Sequence, residues 1–440
     1  MSLSNRNLKS INSSFNVSFQ KIAGATYRSP VNYTDDMSTP IQRWYRYREG
    51  YSTSLVRGII QRYGTETNKI ILDPFCGSGS TLLEAKRMGM DSMGFEVNPF
   101  ACLLSRVKTR DYSKDDKSGL EHIRNVISTG VEKFDPCGKP SLEIIDNLFA
   151  PDSLEFLLRC RKAIEDSEGV SKKSIDLARV AWLSVLEDCS PFRKDGNGIR
   201  KRKASNFPVP DAARARSILE SKMDEMLSDM DYAIGISGRE PNVVCDTALR
   251  MTDHMGTESI GGAIFSPPYA NCFNYTEIYK VELWMGGFVK RYEDLKILRC
   301  ESLRSHLKNP NVKMNSACPG DEPELSDLVS DLRSSDMCDE KIPDMVLSYF
   351  VDMFKVIDDL HSAIQPGGFC VITVSNSAYG GIVVPTDLLL AKHAERRGFV
   401  VEEIEVARLI VTSSQQCART ADYKEFLRES VIYLRKDSRT

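Results

Sequence analysis

The chain has 440 residues, 41% hydrophobic and 27% charged, which suits two to three globular domains, or one large domain with insertions. A disordered, collagenous or coiled-coil chain is excluded; no apolar run reaches bilayer length and residues 1–30 lack a secretory apolar segment, so a soluble, cytoplasmic protein is expected. With 58 Lys and Arg against 61 Asp and Glu, a formal charge of −3, there is no global basic field, and polyanion contacts must come from local patches.

Residues 1–40 are rich in Ser and Asn without a sustained period and read as a tail or loosely docked arm. The pattern sharpens at Lys69-Ile70-Ile71-Leu72-Asp73, a short apolar run ending in an acid. The loop Pro74-Phe75-Cys76-Gly77-Ser78-Gly79 follows, then a predicted helix over Ser80–Arg87. A second strand, Ser92–Glu96, again ends in an acid, and the three pieces make a βαβ unit that opens a parallel sheet. Residues 111–240 read as a mainly helical insertion, with apolar spacing in Leu154–Leu158 and Asp176–Leu186.

Strands resume at Asn242–Asp246 and Gly262–Ser266. Residues 290–344 read as a second insertion; nine acids against Arg333 and Lys341 in 317–344 suggest a mobile loop there. A helix from about residue 345 leads to a turn at Gln365-Pro366-Gly367-Gly368. Strands are predicted at Phe369–Val374, Val400–Val411 and Ser430–Arg435. The expected fold is α/β, a doubly wound seven-stranded Rossmann-like sheet built from residues 41–110 and 241–440, interrupted by the helical insertion.

The twelve cysteines (76, 102, 137, 160, 189, 245, 272, 300, 318, 338, 370, 417) stand singly, without CxxC spacing and without clustered histidines. That pattern gives no metal site, and reduced thiols are the simplest expectation.

The glycines of DPFCGSGS let the backbone approach a ligand closely and start a helix abruptly. The loop is neither GxxxxGK[ST] nor GxGxxG, so a triphosphate cradle is not expected. An acid ahead of it, Asp73, repels a pyrophosphate but suits an ammonium, and Glu96 is placed to accept ribose hydroxyls. S-adenosylmethionine has an ammonium, a sulfonium and no phosphate. The competing reading is a solvated turn with chance acids.

The strand before residue 266 runs into Ser266-Pro267-Pro268-Tyr269. Two prolines remove two backbone donors and fix φ, leaving rigid carbonyl acceptors beside a hydroxyl and an aromatic face. Such a group suits the amine of a nucleobase taken out of its helix. The competing reading is a proline turn capped by a core tyrosine.

DPFCGSG followed by SPPY resembles the S-adenosylmethionine-dependent DNA amino-methyltransferases, and the leading Ser resembles their cytosine-N4 members. The resemblance spans about residues 41–110 and 241–435 and makes that part the catalytic methyltransferase domain. It implies that Asp73, Phe75, Cys76, Gly77, Ser78, Gly79 and Thr81 line the methionine end of the cofactor. Glu96 would hold the ribose, Val97 and Asn98 would flank the adenine, and Asp246 would approach the adenine amine. Ser266, Pro267, Pro268 and Tyr269 would carry the target base. The cofactor half precedes the SPPY half, and the run Arg43-Trp44-Tyr45-Arg46-Tyr47 through Tyr51 is either a cap on the cofactor pocket or plain packing.

Arg193, Lys194, Arg200, Lys201, Arg202 and Lys203 give six basic residues against Asp195 in eleven positions around two glycines. They read as phosphate contacts to double-stranded DNA, against a solvated surface run. Thr412-Ser413-Ser414-Gln415-Gln416 is either a base-reading loop or a bland turn.

The expected activity is therefore N4-methylation of a flipped cytosine in duplex DNA, in a restriction–modification or defence setting with a possible cognate restriction enzyme. The alternatives are adenine-N6 methylation of DNA, methylation of a guanine amine in RNA, and a non-catalytic nucleic-acid-binding protein on a relict fold.

Overall fold

The computed structural model describes residues 3–19, 33–64, 70–196, 198–203, 208–314, 316–410 and 419–438. The loop Thr412–Gln416 lies outside them. The central sheet contains β1 (Val17–Phe19), β2 (Ile71–Asp73), β3 (Ser92–Phe95), β4 (Asn242–Val244), β5 (Ile260–Phe265), β6 (Ile364–Ser375), β7 (Phe399–Leu409) and β8 (Arg428–Lys436). Their order across the sheet is β1-β7-β8-β6-β5-β2-β3-β4. The strands from β6 to β4 run parallel, whereas β8 is antiparallel to both β6 and β7. The seven predicted strands are all present, and β1 adds an eighth.

That eighth strand adds regular structure to residues 1–40, read as a tail or loosely docked arm. Helix Leu3–Ser13 docks with Leu8 buried, and β1 pairs parallel with β7, Val17 opposite Ile404. The predicted turn at Gln365–Gly368 lies inside β6 instead. There the register against β5 shifts between Ile260 and Gly262, with Gly367 at a φ of 75°. The acidic stretch 317–344 holds a helix, Pro323–Arg333, and is tied down by buried Glu322, which meets His393 Nδ1 at 2.6 Å.

Strands β2 and β5 are buried at every position, as expected of parallel strands covered on both faces. Ile71, Ile264 and Val371 face helix Thr53–Tyr63, while Leu72, Phe265 and Ile372 face helices Ile342–Ala363 and Thr386–Arg396. The insertion is helical as predicted: Lys114–Gly130, Pro151–Glu165, Lys172–Ser184 and Ala212–Ile234 share one core with Trp44, Tyr45, Phe100 and Trp284. Asp229, 2% exposed, accepts from Ile41 N–H at 3.1 Å, Arg43 Nε at 3.0 Å and Trp44 Nε1 at 2.9 Å, fastening the segment before the glycine loop to the insertion's longest helix.

A buried polar knot closes the other side. Asp387 accepts from Arg428 Nε at 2.7 Å, Ser430 Oγ at 2.8 Å and Asn376 Nδ2 at 2.8 Å, and Arg428 also donates to Asn12 of the first helix at 2.9 Å. Removing one member of a buried ion pair leaves the other charge without its partner. Asp387→Ala should therefore cost roughly 3–5 kcal/mol in urea unfolding; a loss below about 1 kcal/mol would mean the knot contributes little.

Candidate functional site

Chain order leaves β2 and β3 on one side of the sheet and returns through β5 on the other, so the switch point lies between β2 and β5. The glycine loop leaves β2 there and Ser266 leaves β5 beside it, which is why two motifs far apart in sequence meet. Gly79 sits at φ 83°, and a Cβ on it would come 2.6 Å from Ser105 Oγ, so this position requires glycine.

Two cavities open at this point. The first, about 1050 Å³, is lined by Phe75, Cys76, Gly77 and Ser78 of the loop and by Glu96, Val97 and Asn98 after β3. Asp73, Gly79 and Thr81 stand behind that wall rather than on it. Asp73, 1% exposed, accepts from Phe75 N–H at 3.0 Å and from Tyr51 O–H at 3.2 Å. Glu96 accepts from Gly77 N–H at 3.0 Å and Asn98 N–H at 2.8 Å. Burial pushes Asp73 up to about 6 and Glu96 up to about 7, against the pull of these hydrogen bonds.

Asp246 belongs to a different arrangement. Its side chain is off the cavity wall, meeting Arg250 and, at 2.9 Å, His254. Burial works the other way, but the Arg250 and His254 hydrogen bonds hold its carboxyl down at about 2. Thr247 and Ala248 line the cavity in its place.

The far wall had no sequence signal. Asn274, Tyr275, Ser302 and His306 come from the segment after SPPY, which has no long period to mark it. Asn274 Nδ2 and His306 Nδ1 are buried without a hydrogen-bond partner, and burial lowers the His306 pKa to about 4, so the imidazole is neutral near pH 7. Two desolvated carboxylates without a cation, beside neutral polar atoms awaiting partners, fit a ligand with a cationic end and a heterocyclic end. S-adenosylmethionine has both.

The second cavity, about 1010 Å³, is lined by Ser266, Pro267, Tyr269, Asn271, Arg408 and Glu429 among others. Pro268 faces the first cavity instead. Tyr269 donates its hydroxyl to Glu429 Oε1 at 2.7 Å, Ser266 Oγ lies 3.3 Å from that hydroxyl, and Arg408 pairs with the other Glu429 oxygen. Glu49, Gly50, Tyr51, Ser266 and Tyr275 line both cavities and mark the passage between them. The aromatic run 43–51 thus does both of the things expected of it. Trp44 and Tyr45 pack, whereas Tyr47 and Tyr51 line the first cavity.

The basic run forms a hairpin, Phe192–Asp195 paired with Gly198–Lys201, whose tip residue Gly196 lies on the rim of the second cavity. Arg193, Arg200, Lys201 and Lys203 point outward. Lys194 does not, because alternate strand residues face opposite ways. It is 7% exposed, paired with Glu282 and 2.8 Å from Tyr45 Oη, which removes it from the expected phosphate contacts. Arg202 is also turned inward, donating to Glu187 O at 3.3 Å.

Cys102 and Cys245 come sulfur to sulfur, with Cα atoms 6.0 Å apart across a separation of 143 positions, so these two thiols do not stand singly as expected. Among the described residues no His, Cys, Asp and Glu group is arranged to hold a metal ion, and no helix is long and apolar enough to cross a membrane.

A DNA methylase family model, of the N6/N4 class, matches residues 18–106. Type II methyltransferase M.BsoBI of Geobacillus stearothermophilus is 26% identical over 419 residues, 84% of this chain and 81% of that relative. Type II methyltransferase M.AvaI of Nostoc sp. strain PCC 7120 is 26% identical over 444 residues, 93% of this chain and 89% of its own length. Type II methyltransferase M.MvaI of Kocuria varians is 21% identical over 352 residues, 74% of each chain.

The raised carboxylates generate a pH prediction. In the ligand-free protein Asp73 and Glu96 bind protons more tightly than in the unfolded chain, so they favour folding in acid and lose that contribution as pH rises through about 6 and about 7. A cationic ligand prefers them ionised and releases their protons. Affinity for S-adenosylmethionine should therefore rise by about tenfold or more between about pH 5 and about pH 8, with proton release in calorimetry near pH 6.5. Asp73→Asn with Glu96→Gln should flatten the profile; a flat profile in the unsubstituted protein would detach both carboxylates from the ligand.

Proposed function

We propose that the chain is an S-adenosylmethionine-dependent DNA amino-methyltransferase, as the DNA methylase match and the likeness to Type II methyltransferases support, and that it methylates the exocyclic N4 of a cytosine flipped out of double-stranded DNA. S-adenosylmethionine is its cofactor and supplies an electrophilic methyl on a sulfonium. The observation that supports the cytosine reading is Ser266, first in SPPY and on the wall of both cavities at their junction. The kinship with Type II methyltransferases supports a restriction–modification role.

In this reading the glycine-loop residues Phe75, Cys76, Gly77 and Ser78 receive the methionine end, with Asp73 behind them compensating the positive charge. Glu96 accepts the ribose hydroxyls, and Val97, Asn98, Asn274 and His306 enclose the adenine. The target base enters the second cavity against Tyr269, whose ring is oriented by its hydrogen bond to Glu429. Ser266 and the Pro267 carbonyl accept hydrogen bonds from the amine and turn its lone pair towards the passage. Arg193, Arg200, Lys201 and Lys203 on the hairpin contact the phosphates around the extruded nucleotide.

Digestion of methylated product DNA should yield N4-methylcytosine; N6-methyladenine alone would overturn the cytosine assignment. Tyr269→Ala should lose about 1–3 kcal/mol of base stacking and most turnover while cofactor affinity survives. Ser266→Ala should lower kcat more than DNA affinity, because its hydrogen bond strengthens as the amine becomes nucleophilic.

Replacing Arg193, Arg200, Lys201 and Lys203 by Gln together should weaken binding to all duplexes alike and reduce the salt dependence, since each phosphate contact releases counterions. An unchanged salt slope would make the hairpin a solvated surface.

A further inference from the structure

Methylation of an amine leaves a proton to be removed, and neither Ser266 nor the Pro267 carbonyl is basic enough to take it. The passage between the cavities contains one carboxylate, Glu49, which lines both of them. We propose that Glu49 is the general base of the reaction, accepting the proton that leaves the target amine. The inference rests on the methyltransfer reading of this site and adds to it a residue outside the glycine loop, the acids after β2 and β3, and SPPY.

Three independent features place a base here. Glu49 lies in the aromatic run 43–51, whose leading end, Ile41–Trp44, Asp229 fastens to the insertion by packing remote from the cavities. Its side chain is oriented by the buried Tyr279 hydroxyl, which donates to Glu49 Oε2 while the Tyr279 ring stacks on Tyr47 with centroids 5.1 Å apart. It also stands on the passage with Ser266, the residue that grips the amine.

The surrounding charges leave the carboxylate basic. Arg48 on its own loop and Lys194 from the hairpin favour its ionised form, but Lys194 is paired with Glu282, and the Arg48 guanidinium donates to Glu187 at 2.9 Å. Tyr47 and Tyr279 supply buried rings around it and Tyr275 a half-buried one, and Asp73 and Glu96 are the other acids of the site. Burial raises the Glu49 pKa above the ordinary glutamate value, against the Tyr279 hydrogen bond. A carboxylate with a raised pKa is a better proton acceptor.

The step balances. The amine nitrogen forms a bond to the methyl carbon as the carbon–sulfur bond breaks, and the sulfur keeps that electron pair as a neutral thioether. One N–H proton passes to a Glu49 oxygen, the nitrogen returns to neutrality, and the proton later leaves to water.

The test compares Glu49→Gln with the unsubstituted enzyme in single-turnover methyl transfer at saturating S-adenosylmethionine, across pH. Saturation keeps Asp73 and Glu96 in their ligand-bound state, so they do not contribute the acid limb. The rate should fall by about a hundredfold or more, the general acid–base range, and the acid limb of the profile should disappear. Glu49→Asp should recover part of the rate. Cofactor affinity by calorimetry and base extrusion, read by 2-aminopurine fluorescence beside the target, should stay within about twofold of the unsubstituted enzyme.

A glutamine variant within about threefold of the unsubstituted rate, or one that keeps its acid limb, overturns the proposal. So does a rate loss that tracks an equal loss of cofactor binding or base extrusion, because Glu49 would then be a positioning residue. The methylated base is identified first in the unsubstituted enzyme's product. A failure of the cytosine reading therefore appears there and leaves the Glu49 comparison intact on whichever base is found.

Discussion

Two desolvated carboxylates side by side at the ends of adjacent parallel strands, Asp73 buried and Glu96 half-buried on the cavity wall, are the constraint on which this structure depends. Parallel pairing puts the C-terminal ends of β2 and β3 next to each other, so Asp73 and the residue just beyond Phe95 have no choice but to be neighbours. Their mutual repulsion and desolvation work against ionisation, and the backbone N–H groups of Phe75, Gly77 and Asn98 offset only part of that. The glycine loop bends back because those donors must reach the carboxylates, and Tyr51 crosses to Asp73 for the same reason. A cationic ligand completes an electrostatic arrangement the protein leaves unfinished.

The helical insertion is more than an ornament on the sheet. Through Asp229 it positions the chain from Ile41 to Trp44, and that chain runs straight into Glu49 and Tyr51 at the passage. The buried Lys194–Glu282 pair ties the insertion's basic hairpin, whose tip reaches the second cavity, to helix Lys280–Met285 after SPPY. The basic hairpin and the residues lining the passage are therefore held by one packed core, and a displacement of that core moves both.

Much of this was legible in the sequence, and the exceptions have identifiable physical causes. Apolar runs that end in an acid or in SPPY gave β2, β3 and β5, because strands buried on both faces read as continuous hydrophobic stretches. β1 was missed because three residues have no detectable period, and its pairing partner lies in β7. Lys194 was counted among the phosphate contacts because composition records charge but not the alternation that turns every second strand residue inward. Asn274 and His306 could not be found locally, since their role arises only when the segment after SPPY folds back over the cleft. Glu49 sits in an aromatic run whose packing and lining roles look alike in one dimension.

The sheet's order also dictates when this enzyme can exist during its own synthesis. β8 follows β6 and β7 along the chain yet lies between them, and β1 joins the sheet only through β7. Asn16, at the start of β1, bonds Glu402, which is 386 positions away. At ribosomal speeds of about 5–20 residues per second, the first strand waits roughly 20–80 s for its partner. Until β8 slides between its neighbours, the nascent chain has a half-sheet with an unpaired β6 edge, and helix Leu3–Ser13 lacks the Arg428 contact to Asn12. An interrupted translation product thus lacks the strand that contributes Glu429 to the second cavity.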